Sequence, residues 1–85
     1  MREKDVQIQL VQGLSARSAA NFVKTASSFS SDVKIGKNGQ FVDAKSILGV
    51  MSMAFAKGEQ ITLRVDGSDE EAALDSLVSL LESNE

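Results

Sequence analysis

Residues 61–65 have the sequence ITLRV, in which apolar side chains alternate with polar ones. This period of two predicts a β-strand with one buried face and one solvated face. Beyond the strand the apolar spacing changes to three and four residues, which is typical of an amphipathic helix. The residues with that spacing are Leu74, Leu77, Val78 and Leu81. A strand and a helix that each have one apolar side indicate an α+β protein whose helices cover a sheet.

The start of this last helix has its own signal. Ser68 and Glu71 have the spacing of a capping box, in which each side chain bonds the other residue's backbone amide. Acidic residues at positions 69–71 suit the positive end of the helix dipole. We therefore expect the helix to begin just after Ser68.

The same two spacings recur near the N-terminus. A first strand is predicted from the alternation of Val6, Ile8 and Leu10, and Gly13 ends it. A first helix is predicted from the spacing of Ala19, Phe22, Val23 and Ala26. Ser15 stands at the N-cap position, where its hydroxyl can accept a hydrogen bond from a free amide of the first turn.

The middle of the chain completes the pattern. Val33 and Ile35 begin a second strand, residues 36–39 (GKNG) predict a hairpin turn, and residues 41–42 return as a third strand. Ser46 then opens a short apolar helix. The order is strand, helix, strand, strand, short helix, strand, helix. We expect a single domain over residues 1–85, an open-faced β-sandwich with a four-stranded antiparallel sheet covered by three helices.

The composition excludes much chemistry. The chain has no Cys and no His, so it lacks thiolate nucleophiles, disulfides and the commonest general base and metal ligand. We therefore expect neither an enzyme nor a bound metal or cofactor. No apolar run reaches about 18 residues and no signal-peptide core follows Met1, which predicts a cytoplasmic protein without a membrane partner.

Charge is distributed unevenly along the chain. Residues 66–85 contain seven acids and no base, whereas residues 1–65 contain nine bases and five acids. This split predicts one mildly basic region and one acidic face. The acidic pI of about 4.8 and the absence of clustered bases argue against direct nucleic-acid binding.

Two segments carry a family resemblance. Residues 13–19 (GLSARSA) resemble the active-site segment of the histidine-containing phosphocarrier protein (HPr) family, with Ser15 in place of the phosphorylated histidine and Ser18 in place of a proline. Residues 43–52 (DAKSILGVMS) resemble the regulatory segment of Gram-positive members. Because it lacks the active-site histidine, the chain resembles the catabolite-repression (Crh) branch of that family. This resemblance implies a regulator rather than a sugar-transport phosphocarrier.

The resemblance assigns roles to individual residues. Ser15 and Arg17 would form a degenerate active site, because a serine hydroxyl without an adjacent base is a weak nucleophile and its phosphoester is inert. Ser46 would be phosphorylated by HPr kinase/phosphorylase, and the phosphorylated form would be the corepressor of catabolite control protein A. The implied partner-binding residues are Arg17, Ala20, Lys24, Ile47, Leu48 and Met51.

Other interpretations stay open at this point. The chain could be a phosphocarrier of the sugar phosphotransferase system, or an engineered inactive variant of one, although Ser18 argues against simple removal of a nucleophile. An RNA-binding module is disfavoured because such modules stack bases on surface aromatics, and this chain has only four Phe. The resemblance also implies a monomer or a strand-exchanged homodimer, with residues 12–14 as the hinge.

Overall fold

The computed structural model describes residues 1–10 and 13–83. Its elements are β1 (Arg2–Gln7), α1 (Ala16–Ser27), β2 (Asp32–Lys37), β3 (Gln40–Asp43), α2 (Ile47–Ser52), β4 (Gln60–Asp66) and α3 (Glu70–Leu81). The predicted element order and the predicted fold are both confirmed. No helix in this described part of the chain is long and apolar enough to cross a lipid bilayer.

The strand predicted from residues 61–65 lies inside the sheet. The antiparallel strand order is β1-β4-β2-β3, so β4 pairs on both of its edges. Ile61, Leu63 and Val65 are at most 1% exposed and point to the side that the helices cover. Because every second residue of β4 is buried there, the alternation of this one strand sets which face of the sheet carries the core.

Two helices supply most of the opposing core surface. Ala19, Phe22 and Ala26 of α1 are fully buried, as are Ala73 and Leu77 of α3. Truncation of a buried Leu or Phe to Ala typically costs about 2–5 kcal/mol, so Phe22 and Leu77 contribute most to stability among these residues. The helical spacing in the sequence therefore identified the core face of both helices correctly.

The first strand is shorter at its C-terminal end than the alternation predicts. β1 ends at Gln7, yet Ile8 and Leu10 remain buried at 0% and 5% exposure. Ile8 still exchanges backbone hydrogen bonds with the segment before β4, donating to the Glu59 carbonyl (3.0 Å) and accepting from the Gly58 amide (2.8 Å). The Gln9 amide then donates to the Leu81 carbonyl at the end of α3 (2.8 Å), so alternating burial continues past the strand.

The capping box predicted for Ser68 and Glu71 is wrong. The N-cap residue of α3 is Asp69, and the helix begins at Glu70. The side-chain contact across the helix start is formed one residue earlier, where the Gly67 amide donates to Glu70 Oε1 at 3.1 Å. That bond is the main reason why the pKa of Glu70 lies below its usual value.

Asp69 uses its carboxylate to join two distant segments. Its two oxygens accept from the Ser30 and Ser31 amides at 2.9 and 3.0 Å, and the Ser31 hydroxyl donates to the same group. The hydroxyl of Ser31, followed by these amides, lowers the pKa of Asp69. The loop between α1 and β2 is therefore tied to the start of α3.

Candidate functional site

Ser15 occupies the N-cap position of α1 by its backbone alone. Its carbonyl accepts from the Ala19 amide at 2.7 Å, but its side chain accepts no amide of the first turn. The predicted side-chain cap is therefore wrong. Instead, Ser15 Oγ lies 3.3 Å from Ser18 Oγ, which itself donates to the Gly13 carbonyl at 2.9 Å. A contact between the Ser15 and Ser18 hydroxyls therefore takes the place of the side-chain cap that the sequence predicted.

The neighbourhood of Ser15 offers no means of activating it. Among the described residues, its hydroxyl contacts neither a carboxylate nor an amine, and the chain has no imidazole. Arg17 is exposed and forms no ion pair within that part of the chain. A positive charge beside an unactivated hydroxyl can attract an anion, but it cannot make the hydroxyl a good nucleophile.

An open groove runs between α1 and α3 beside this segment. Its volume is about 1260 Å³, and Ser15, Arg17 and Lys24 are among its lining residues. Among the described residues, no carboxylate lines it, although seven acids lie in residues 66–85. Two of its lining residues, Arg17 and Lys24, are cations, so the described part of its lining is positively charged.

Ser46 occupies the N-cap position of α2 and caps it with its side chain. Ser46 Oγ accepts from the Gly49 amide at 3.1 Å, and the Ser46 carbonyl accepts from the Val50 amide at 3.0 Å. The prediction that Ser46 opens a short helix is confirmed. A Cβ at Gly49 would lie 3.4 Å from Ser46 Oγ, which is an ordinary van der Waals distance.

Lys45 has a contact that the sequence did not reveal. Its ammonium donates to the Phe29 carbonyl at 2.9 Å, across sixteen positions of the chain. Its backbone amide donates to Asp43 Oδ1 at 2.9 Å. These two bonds hold the residue before Ser46 in place, with its ammonium at the Phe29 carbonyl. The Asp43 contact is local, whereas the Phe29 contact has no signal in local spacing, because its partner is a distant backbone atom.

The exposed side of α2 is apolar. Ile47, Leu48 and Met51 are 38%, 82% and 45% exposed, and we call these three residues the apolar patch. Val50 is fully buried, so it anchors the helix to the core. Among the described residues, the other large exposed hydrophobic is Met1. Apart from the first residue, exposed large apolar side chains are thus concentrated on a single six-residue helix.

The six predicted partner-binding residues are all exposed. Arg17, Ala20 and Lys24 lie on one side of α1 at helical spacing, and the remaining three form the apolar patch on α2. The two helices pack against each other. The fold therefore brings these six residues onto neighbouring helices. Within residues 1–10 and 13–83, no cluster of acids could hold a metal ion.

The sheet order, the three covering helices and the serine-started helices α1 and α2 define an HPr-like α+β protein. Residues 2–83 match the family described as "PTS HPr component phosphorylation site". The chain therefore belongs to the HPr family, whose members are phosphocarrier proteins and not enzymes.

Individual relatives cover nearly the whole chain. The HPr-like protein Crh of Halalkalibacterium halodurans is 46% identical over 82 residues, covering 96% of this chain and 98% of that protein. The crystal structure of a phosphocarrier protein HPr from Bacillus anthracis superposes with a TM-score of 0.92 at 46% identity, covering 94% of this chain and 95% of that one.

A Bacillus subtilis Crh crystal structure, described as a dimer with a swapping domain, has a TM-score of 0.79 at 42% identity. It covers 100% of this chain and 98% of that one. Overall identity does not separate the Crh and HPr branches, because both reach 46%.

Proposed function

We propose that this chain is a regulatory HPr paralogue of carbon catabolite repression. HPr kinase/phosphorylase phosphorylates Ser46, and the phosphorylated protein is the corepressor of catabolite control protein A. The observation that carries the proposal is the position of Ser46 at the head of a helix whose exposed side is the apolar patch. The similarity to proteins named HPr-like protein Crh supports the same role.

The local contacts favour a phosphate on Ser46. Ser46 Oγ already accepts from the Gly49 amide, so a phosphoryl oxygen in the same place keeps a donor. Phosphorylation adds about −1.5 to −2 charges at pH 7, and the Lys45 ammonium lies on the neighbouring residue. Gly49 has no side chain to compete for the space beside the hydroxyl. The modification therefore needs little rearrangement of α2.

A partner can recognise the phosphate and the apolar patch together. Charged recognition of the phosphate by Arg or Lys supplies specificity, and burial of exposed Leu48 supplies affinity. Arg17 and Lys24 of α1, which form no ion pair within the described residues, add positive charge for acidic groups of the partner. The regulator itself makes the DNA contacts in this proposal.

Sugar phosphotransfer is absent from the proposed role. A relay needs a labile phosphoryl bond and an activated acceptor, and within residues 1–10 and 13–83 the Ser15 hydroxyl contacts only another hydroxyl. Ser15 and Arg17 then persist as a degenerate active site that contacts partners without chemistry.

The oligomeric state in this proposal is a monomer or a strand-exchanged homodimer. The predicted hinge is residues 12–14, of which Gln12 lies outside the described residues. Gly13 has φ +63°, and a Cβ there would lie 2.5 Å from the Phe55 carbonyl oxygen. Such a position accepts only glycine without strain. Light scattering across a concentration series distinguishes the monomer from the dimer.

The experiment that tests the role has two stages. The chain is treated with HPr kinase and ATP, and its affinity for catabolite control protein A is measured before and after treatment. We expect binding only after treatment, and no gain in binding for Ser46→Ala. Ser68→Ala, which removes an exposed hydroxyl in the loop before α3, serves as the matched control and should behave like the wild type. Equal binding of treated wild type and treated Ser46→Ala would remove Ser46 from this role.

The second candidate function is phosphocarrier activity. The 46% identity to the Bacillus anthracis HPr keeps this candidate open. Incubation with enzyme I of the phosphotransferase system and phosphoenolpyruvate separates the two. Acid-labile phosphate on the chain would favour the phosphocarrier and contradict the proposal.

A further inference from the structure

The chain contains very few side chains that a peroxide can oxidise. It has no Cys, Trp, Tyr or His, and its only sulfur atoms are the thioethers of three methionines. In most proteins the thiolate of a cysteine reacts with peroxide first. Here an oxidant has only the methionines as sulfur targets, so their exposure decides the order in which they react.

The three methionines have different surroundings. Met1 is 74% exposed, and its amino group lies 3.4 Å from the carboxylate of Glu70, at the start of α3. Met51 is 45% exposed and belongs to the apolar patch. Met53 is half-buried and packs against the core. Met51 is therefore the accessible thioether on the surface that carries the proposed function.

We propose that Met51 is a modification site at which a peroxide turns off docking to the regulator, an inference that rests on the proposed function. Hydrogen peroxide transfers one oxygen atom to the Met51 sulfur and forms a sulfoxide. The O–O bond breaks, the sulfur loses two electrons, and the rest of the peroxide leaves as water. Methionine sulfoxide reductase reverses the change.

The position of Met51 makes the added oxygen costly for docking and harmless for the fold. Met51 lies one helical turn after Ile47 on a helix of six residues, so the two side chains share one face and both belong to the apolar patch. A sulfoxide oxygen buried there without a donor loses its hydration. Val50, which is fully buried, holds α2 to the core and is untouched. Oxidation should therefore reduce affinity without unfolding the chain.

The test uses wild type and Met51→Leu, each phosphorylated on Ser46 and then treated with hydrogen peroxide. Leu and Met have similar volumes, so this substitution keeps the patch apolar while it removes the sulfur. Peptide mass spectrometry maps the sulfoxides, and calorimetry gives the affinity for catabolite control protein A. We expect oxidation to weaken wild-type binding by about tenfold or more and that of Met51→Leu by less than about twofold.

Two further samples complete the design. Met1→Leu should lose affinity on oxidation as the wild type does, and reductase treatment should restore the binding of both. Unchanged affinity with a Met51 sulfoxide present, the absence of that sulfoxide, or equal losses in Met51→Leu would each overturn the inference. A phosphorylated, unoxidised chain that does not bind would overturn the proposed function itself, so the two failures are distinct.

Discussion

The two helix starts at Ser15 and Ser46 have the same residue at the same N-cap position, and yet the two hydroxyls have different contacts. Ser46 Oγ accepts from the Gly49 amide, whereas Ser15 Oγ, among the residues that the structure describes, contacts only the hydroxyl of Ser18. Ser46 caps its helix with its side chain, whereas Ser15 caps its helix with its backbone alone. Residue type and position therefore do not define a site without the groups around it.

The surfaces beside the two serines differ as well. Ser15 lies on a groove whose described lining residues include two cations and no carboxylate, whereas Ser46 precedes the apolar patch. A cationic groove attracts anions weakly and at long range, while an apolar patch contributes affinity only when a partner buries it. The comparison favours the proposed division of roles, with regulated docking at the Ser46 region and no phosphoryl relay at the Ser15 region.

The largest expected effect comes from restoring a nucleophile at the first helix start. Ser15→His should accept acid-labile phosphate from phosphoenolpyruvate through enzyme I, where the wild type accepts none, because an imidazole is a strong acceptor beside Arg17. Radiolabel uptake measures this change, with Ser15→Asn as the control of similar size. Absence of label on Ser15→His would mean that the segment lacks more than its nucleophile, and Ser18→Pro in the same chain would test that.

The next effect concerns the apolar patch. Leu48→Ala should weaken binding of the Ser46-phosphorylated chain to the regulator by about tenfold, since Leu48 is 82% exposed and free to be buried by a partner. Its melting temperature should hardly change, because substitutions at exposed positions are usually within about 0.5 kcal/mol. Leu48→Met is the control and should keep most of the affinity. Full affinity in Leu48→Ala would exclude Leu48 from the docking surface.

Acid should destabilise the fold through Asp69. It should not change the difference in contacts between Ser15 and Ser46. The pKa of Asp69 is lowered from 3.8, chiefly by the Ser31 hydroxyl, so its stabilisation is complete above that value and is lost as the pH falls below it. Asp69→Asn should lower the melting temperature at pH 7, and its deficit should shrink below a pH of about 4. Asp75→Asn removes an exposed acid from the same helix and should change little. A deficit that is independent of pH would contradict this account.

The smallest effect compares the two caps directly. Ser46→Ala removes a side-chain cap and should reduce the free energy of unfolding by about 1 kcal/mol. Ser15→Ala removes no such cap and should cost less than about 0.5 kcal/mol. Urea denaturation of the unphosphorylated proteins measures both values. Equal losses in the free energy of unfolding would show that the two hydroxyls contribute equally to stability in solution.

Much of the fold was predictable because its signals are periodic. The alternation in β4 and the helical spacing in α1 and α3 are repeated over several residues, so burial follows from the sequence itself. The start of α3 was not predictable in the same way. Asp69 bonds to Ser30 and Ser31, and those partners are about forty positions away in the chain. A local capping rule cannot include such a contact.

In the candidate site too, local features were predictable from the sequence and long-range or side-chain contacts were not. Ser46 at the head of a short helix was predictable, since its cap lies within three residues of it. The sequence did not decide which apolar residues of α2 face outward, because a two-turn helix has too few positions to define a face. The missing cap on Ser15 depends on the hydroxyl of Ser18 and the Gly13 carbonyl, and side-chain geometry of that kind has no sequence pattern.

The most direct test of the contrast is site-resolved mass spectrometry of the wild-type chain after exposure to each of two phosphate donors. With HPr kinase and ATP, we expect one acid-stable phosphate, located on Ser46 and absent from Ser15. With enzyme I and phosphoenolpyruvate, we expect no phosphate anywhere. Phosphate on Ser15 in either reaction, or an unmodified Ser46 in the first, would contradict the account.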